Sequence, residues 1–170
     1  THRNNQRIGV AVADDPNGPW QRFDAPLLDV SSDPMAHDAQ MVANPSVTRM
    51  VDGRYLMVYK AVAKQKPQPF GGPVVHLTAI SDTPYGPFVK QNQPIFTASD
   101  VDFPAEDPFV WFQDNCYYAI VKDMQGAFTD AGRSLVLFYS LDGLQWKLAK
   151  NPLVSDLTIK MADGSIRKLE

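Results

Sequence analysis

The stretch FPAEDPFVWFQDNCYYAIVKDM, residues 103–124, places two adjacent carboxylates, Glu106 and Asp107, directly before Pro108 and an apolar run. Carboxylates beside a pocket can give, take or orient a proton. An Asp before a proline can equally open a turn by bonding its own backbone, and the residue types alone leave both readings open. On a strand, neighbouring side chains point to opposite faces, so only one of the two is expected to face any one cavity. The same run closes on Lys122–Asp123, where charged side chains at a strand end either meet a ligand or rest in solvent. A second pair, His37–Asp38, stands ahead of another Asx-Pro step, Asn44–Pro45. His76 sits inside an apolar run and reads as a packed or partnered histidine. Cys116, the only cysteine, follows a turn with no histidine nearby in sequence and is read as non-catalytic.

The elements that must position these residues are strands. With 14 prolines and 10 glycines scattered through 170 residues, little room is left for long helices. Short β-rich runs recur instead: RIGVAVA, PSVTRMV, RYLMVYKAVA, VVHLTAIS, FVWF, CYYAIVKD and SLVLFYS. Turn signals such as Asp52–Gly53 and Asp142–Gly143 separate them. A hydrophobic content of 44% supports a core, and a net charge of −3 gives no broad attraction to nucleic acid or anionic membrane. No apolar run approaches the roughly 20 residues of a membrane-spanning helix. One cysteine excludes an internal disulfide and a multi-cysteine zinc site. The segment 114–132 lacks calcium-loop spacing, so no cofactor is expected and a structural calcium ion is not indicated.

The runs repeat. NPSVTRMVDGRYLMVYKA, from Asn44, aligns with DPFVWFQDNCYYAIVKDM, from Asp107, 63 residues on. A second unit, in which a strand reaches a turn, an aromatic residue and a short strand, recurs around Trp20, Phe88 and Trp146. Four antiparallel strands repeating at about 40 to 60 residues are the signature of β-propeller blades. The chain therefore reads as part of a single β-propeller domain. Residues 1–30 end one blade, 31–98 and 99–155 form two complete four-stranded blades, and 156–170 lead into the next. Two blades leave sheet edges open, so a longer protein, or another chain, is expected to complete the ring. The opening THRNNQRIGVAVA already runs into a strand, which agrees with a preceding segment.

These repeats resemble the five-bladed propeller glycosidases, glycoside hydrolase family 43 and its relatives. RIGVAVADDPNGPW and LTAISDTPYGPF look like the outer hairpins of that group, and AEDPFVWFQDNCYYAIVKD looks like its inner-strand motif. The resemblance implies an all-β glycosidase acting on a poly- or oligosaccharide through carboxylates around a central cavity, with inversion at the sugar carbon. Asp107 matches the carboxylate that tunes and orients, with Glu106 its neighbour. Glu170, 63 residues further, stands where the acid belongs. The base would precede Thr1, since Asn44 occupies the equivalent entry in the earlier blade and an amide cannot act as a base. Lys122, Asp123, Asn44, His37, Asp38 and Arg3 are the implied sugar contacts, and Phe128 is the implied stacking platform; Trp111 and Phe112 read as packing. Two alternatives remain: a mannoside-type phosphorylase, for which Arg133, Lys122 and Lys60 are the candidate phosphate ligands, and a sugar-binding propeller piece without catalysis.

Overall fold

Asn and Asp are the non-glycine residues that best tolerate the left-handed backbone region, and this chain uses them to end and to kink its strands. The computed structural model describes residues 5–67 and 71–169. Twelve strands form, and no helix occurs among the described residues. A small sheet pairs β1 (Ala11–Val12) with β2 (Gln21–Arg22). The first large sheet holds β3 (Met41–Arg49), β4 (Tyr55–Val62), β5 (Val74–Ser81) and β6 (Val89–Ile95). The second holds β7 (Ala105–Gln113), β8 (Cys116–Asp123), β9 (Ser134–Ser140) and β10 (Lys147–Ser155). A last hairpin joins β11 (Thr158–Lys160) and β12 (Ile166–Lys168). Both large sheets are antiparallel meanders with strands in chain order, the blade pattern expected from the repeats.

The turns follow from their residues. Asp114 and Asn115, both at positive φ, join β7 to β8, as a tight hairpin requires. The repeated outer hairpins close alike, with Gly18 N donating to Asp15 O and Gly86 N donating to Thr83 O. Gly86 has a φ of 84°, a left-handed state that favours glycine.

The sheets pack face to face. Val58 and Ile95 of the first, with Phe96 just after β6, press against Ala105, Val110, Ala119, Val121, Val136 and Phe138 of the second. Phe138 lies 4.7 Å from Phe96 and 5.0 Å, edge-on, from Phe128, measured between ring centroids. On the opposite face of the second sheet, Phe109, Trp111 and Tyr118 form a stacked row, and Phe109 is 64% exposed. Truncating a buried aromatic leaves a cavity, whereas an exposed one leaves none. Phe138→Ala is expected to lower stability by about 3–5 kcal/mol, and Phe109→Ala in this chain by no more than about 0.5 kcal/mol, both read from urea melts.

Candidate functional site

The two Asx-Pro steps build one feature twice. Between the pairs Ala43↔Lys60 and Ser46↔Val58, two residues of β3, Asn44 and Pro45, stand opposite one of β4. Between Glu106↔Lys122 and Phe109↔Ile120, Asp107 and Pro108 stand likewise opposite one residue of β8. Each is a β-bulge. Asn44 has a φ of 49° and Asp107 a φ of 50°, in the left-handed region. A residue before proline is normally held extended, so these two positions carry strain of about 1–3 kcal/mol each that the surrounding sheet must hold.

The bulges change the aim that simple strand alternation gives Glu106 and Asp107, although the two still differ, Glu106 being engaged by Lys60 and Asp107 exposed. A bulge breaks the alternation locally, and both side chains reach across to the first sheet. Asn44 Nδ2 donates a hydrogen bond to Asp107 Oδ1. One residue earlier, Lys60 Nζ donates to Glu106 Oε1 at 2.9 Å, with side chains only 13% and 22% exposed. Val110 N donates to Ser46 Oγ at 2.9 Å, a third link between the two sheets. Asp107 itself stays exposed, open to a ligand on its other oxygen.

Lys122 is half-buried, in register with Glu106 on one side and Leu135 on the other. It belongs to the same end of the sheet. Asp123 does not present a free carboxylate. It is fully buried, and its oxygens accept from Ala127 N at 2.8 Å, Phe128 N at 2.9 Å and Gln125 N at 3.3 Å. It shapes the loop from β8 to β9, and contact with a sugar is corrected to that role. Phe128 is half-buried, with its ring edge-on to Phe138, and it lines a concavity with Phe96 and Trp146. Asp38 is 4% exposed and accepts from Lys90 Nζ at 2.6 Å, with the Tyr59 hydroxyl at 3.5 Å. His37 is exposed, so the two form no dyad. Arg3 and Glu170 lie outside the described residues. Cys116 is buried, with Sγ 3.3 Å from Ser140 O.

Lys60 and His76 were legible only as types. Lys60 is the one charge in the run YLMVYKAVA, and a lone charge in a buried strand signals a partner across the interface. His76 pairs in register with Lys60 on β5. It is 1% exposed, and its Nε2 has no hydrogen-bond partner among the described residues. A surface concavity lined by Arg54, Ser81, Asp82 and Gln91 opens at the other end of the first sheet, away from the bulges.

No family model and no curated protein sequence matches the chain. Solved structures do match, and they define the class of fold as that of the five-bladed propeller glycosidases. One is a family 117 glycoside hydrolase of the marine bacterium Zobellia galactanivorans, with a TM-score of 0.62 at 18% identity over 90% of this chain and 39% of its own. Another is fructan 1-exohydrolase IIa from Cichorium intybus, with a TM-score of 0.63 at 20% identity over 85% of this chain and 26% of its own. A thermostable family-43 glycoside hydrolase follows, with a TM-score of 0.56 at 16% identity over 85% of this chain and 46% of its own. The chain thus spans less than half the length of these structures, and at such identities the likeness is one of fold.

His76 generates a pH prediction. Burial first, and then the charge of Lys60, pull its pKa from 6.5 down to about 3. The unfolded chain therefore binds a proton that the folded chain refuses between these values. Its contribution is fully present above pH 6.5 and is lost as pH falls toward 3, at up to about 1.4 kcal/mol per pH unit. Urea melts from neutral pH down to about pH 4 should show this decline, and His76→Leu should flatten it. An unchanged slope in His76→Leu would contradict the assignment.

Proposed function

We propose that this chain carries part of the active site of a glycoside hydrolase acting on a poly- or oligosaccharide, with Asp107 as a site carboxylate. The observation that carries the reading is the pair of strained Asx-Pro bulges on β3 and β7, which bring Asn44 to Asp107 across the sheet interface. Strain of this kind persists where the surrounding structure over-determines it, and it gathers at functional sites. The fold likeness to glycosidases supports the same class.

In this reading, an oxocarbenium-like transition state passes between an acid and a base, and inversion requires them roughly 6.5–9.5 Å apart to admit water. Asp107 orients sugar hydroxyls and, by like-charge repulsion, keeps the acid protonated. Asn44 holds the Asp107 carboxylate in place from the neighbouring blade. Glu170 is the proposed acid, and the base comes from outside the chain. Further blades complete the ring. Leu56 and Val58, which pair with Thr48 and Ser46 just after the β3 bulge, are fully buried by the second sheet, while Tyr118 and Ile120, which pair with Trp111 and Phe109 after the β7 bulge, are only half-buried. The repeat thus supports a further sheet on the Phe109 face. A phosphorylase reading is less favoured, because Lys60 is already engaged by Glu106.

The test uses protein from the complete open reading frame, assayed with a panel of aryl glycosides and oligosaccharides. Asp107→Asn keeps the shape, removes the charge, and is expected to cut turnover by about 10²-fold or more with its thermal melt little changed. Turnover near that of the unmodified protein would overturn the assignment, and a protein inert toward the whole panel would leave the non-catalytic reading in its place.

A further inference from the structure

Lys60 occupies a place no packing argument requires. It stands at the last pair before the β3 bulge, opposite Ala43, on a strand whose neighbours Tyr59 and Ala61 are fully buried. An ammonium in such a place is costly unless paired. On its β5 side, in register, is His76, buried and held neutral, which offers no counter-charge. Its partner lies on the second sheet. Glu106 is the residue immediately before the β7 bulge, at the last pair before it, opposite Lys122. One ion pair thus joins β4 to β7 at the pair that precedes each bulge, and one residue later Asn44 of β3 meets Asp107.

We propose that Lys60 is a positioning residue for Asp107, acting through Glu106; the inference rests on the reading of Asp107 as a site carboxylate. The ion pair holds Glu106 toward β4. The backbone that follows must then kink, and the kink delivers the Asp107 carboxylate to Asn44. Without the ammonium, Glu106 turns to solvent or to Lys122, the bulge loses its anchor, and Asp107 leaves Asn44. Arginine can restore such a bridge because it too is cationic and long.

The side-chain amide of Asn44 reports this directly. In ¹⁵N-labelled protein its signals are assigned by their loss in Asn44→Asp, and Asp107→Asn gives their position without the charged acceptor. Lys60→Met is expected to move them most of the way to that position, and Lys60→Arg to return them at least half-way. Should Lys60→Met fail to fold, Lys60→Met/Glu106→Met removes both charges and leaves none unpaired; the same displacement is expected. Asn44 signals unmoved in either folded variant would overturn the proposal, since a purely structural role would lower the melting temperature without moving them. In protein from the complete open reading frame, Lys60→Met is expected to lower kcat about 10- to 100-fold with KM within about threefold, as for a misplaced catalytic group. Activity retained in Asp107→Asn would defeat the reading of Asp107 alone, while the Asn44 signals still decide the role of Lys60.

Discussion

The structure turns on an unfavourable backbone state adopted twice. Asn44 and Asp107 each hold a left-handed conformation in front of a proline, where sterics favour an extended chain. A β-bulge makes this tolerable by taking the extra residue out of the ladder, and the flanking pairs of each sheet lock it from both sides. The return is directional. A straight strand would aim Glu106 and Asp107 to opposite faces, whereas the bulge lets both reach the neighbouring sheet. The Asn44–Asp107 bond and the Lys60–Glu106 pair both cross to the neighbouring sheet at that kink.

The interface between the sheets is what holds the kink in register. Its core is apolar and aromatic, built from Val58, Ile95 and Phe96 against Val110, Val121 and Phe138. The polar links lie at one edge of this core, where β3 and β4 meet β7. Non-directional burial supplies the association, and the few polar contacts set the angle and register. Loops at the same end are fixed in their own way. Asp123 gathers three amides of the loop after β8, and Lys168 of β12 donates to Ala131 O in that loop at 2.7 Å.

Much of the fold was legible in the sequence because strands and turns are local. Runs such as YLMVYKAV and SLVLFYS form β4 and β9 as their composition requires, and Asp52–Gly53 turns the chain between β3 and β4. The spacing of 63 between the Asx-Pro steps marked equivalent strands because each blade repeats one supersecondary unit. The site was less legible, for three physical reasons. A left-handed residue before proline contradicts the rule by which such a step is read, so the sequence suggests plain alternation where a bulge stands. Whether a strand-end carboxylate faces solvent or its own loop depends on how the chain returns, which is why Asp123 and Asp38 read as ligand contacts. Pairing across sheets, as between Lys60 and Glu106, leaves only a lone charge in an apolar run as its trace.

The central claim is that the bulged end of β3 and β7 is where a sugar is held, with Asp107 against it. A crystal structure of protein from the complete open reading frame, soaked with a cationic iminosugar that mimics the oxocarbenium charge, tests it most directly. The account predicts the iminosugar at this end, with the free oxygen of Asp107 in hydrogen-bond contact with it and Asn44 still bound to the other. An iminosugar bound elsewhere, with Asp107 touching only Asn44 and solvent, would contradict it.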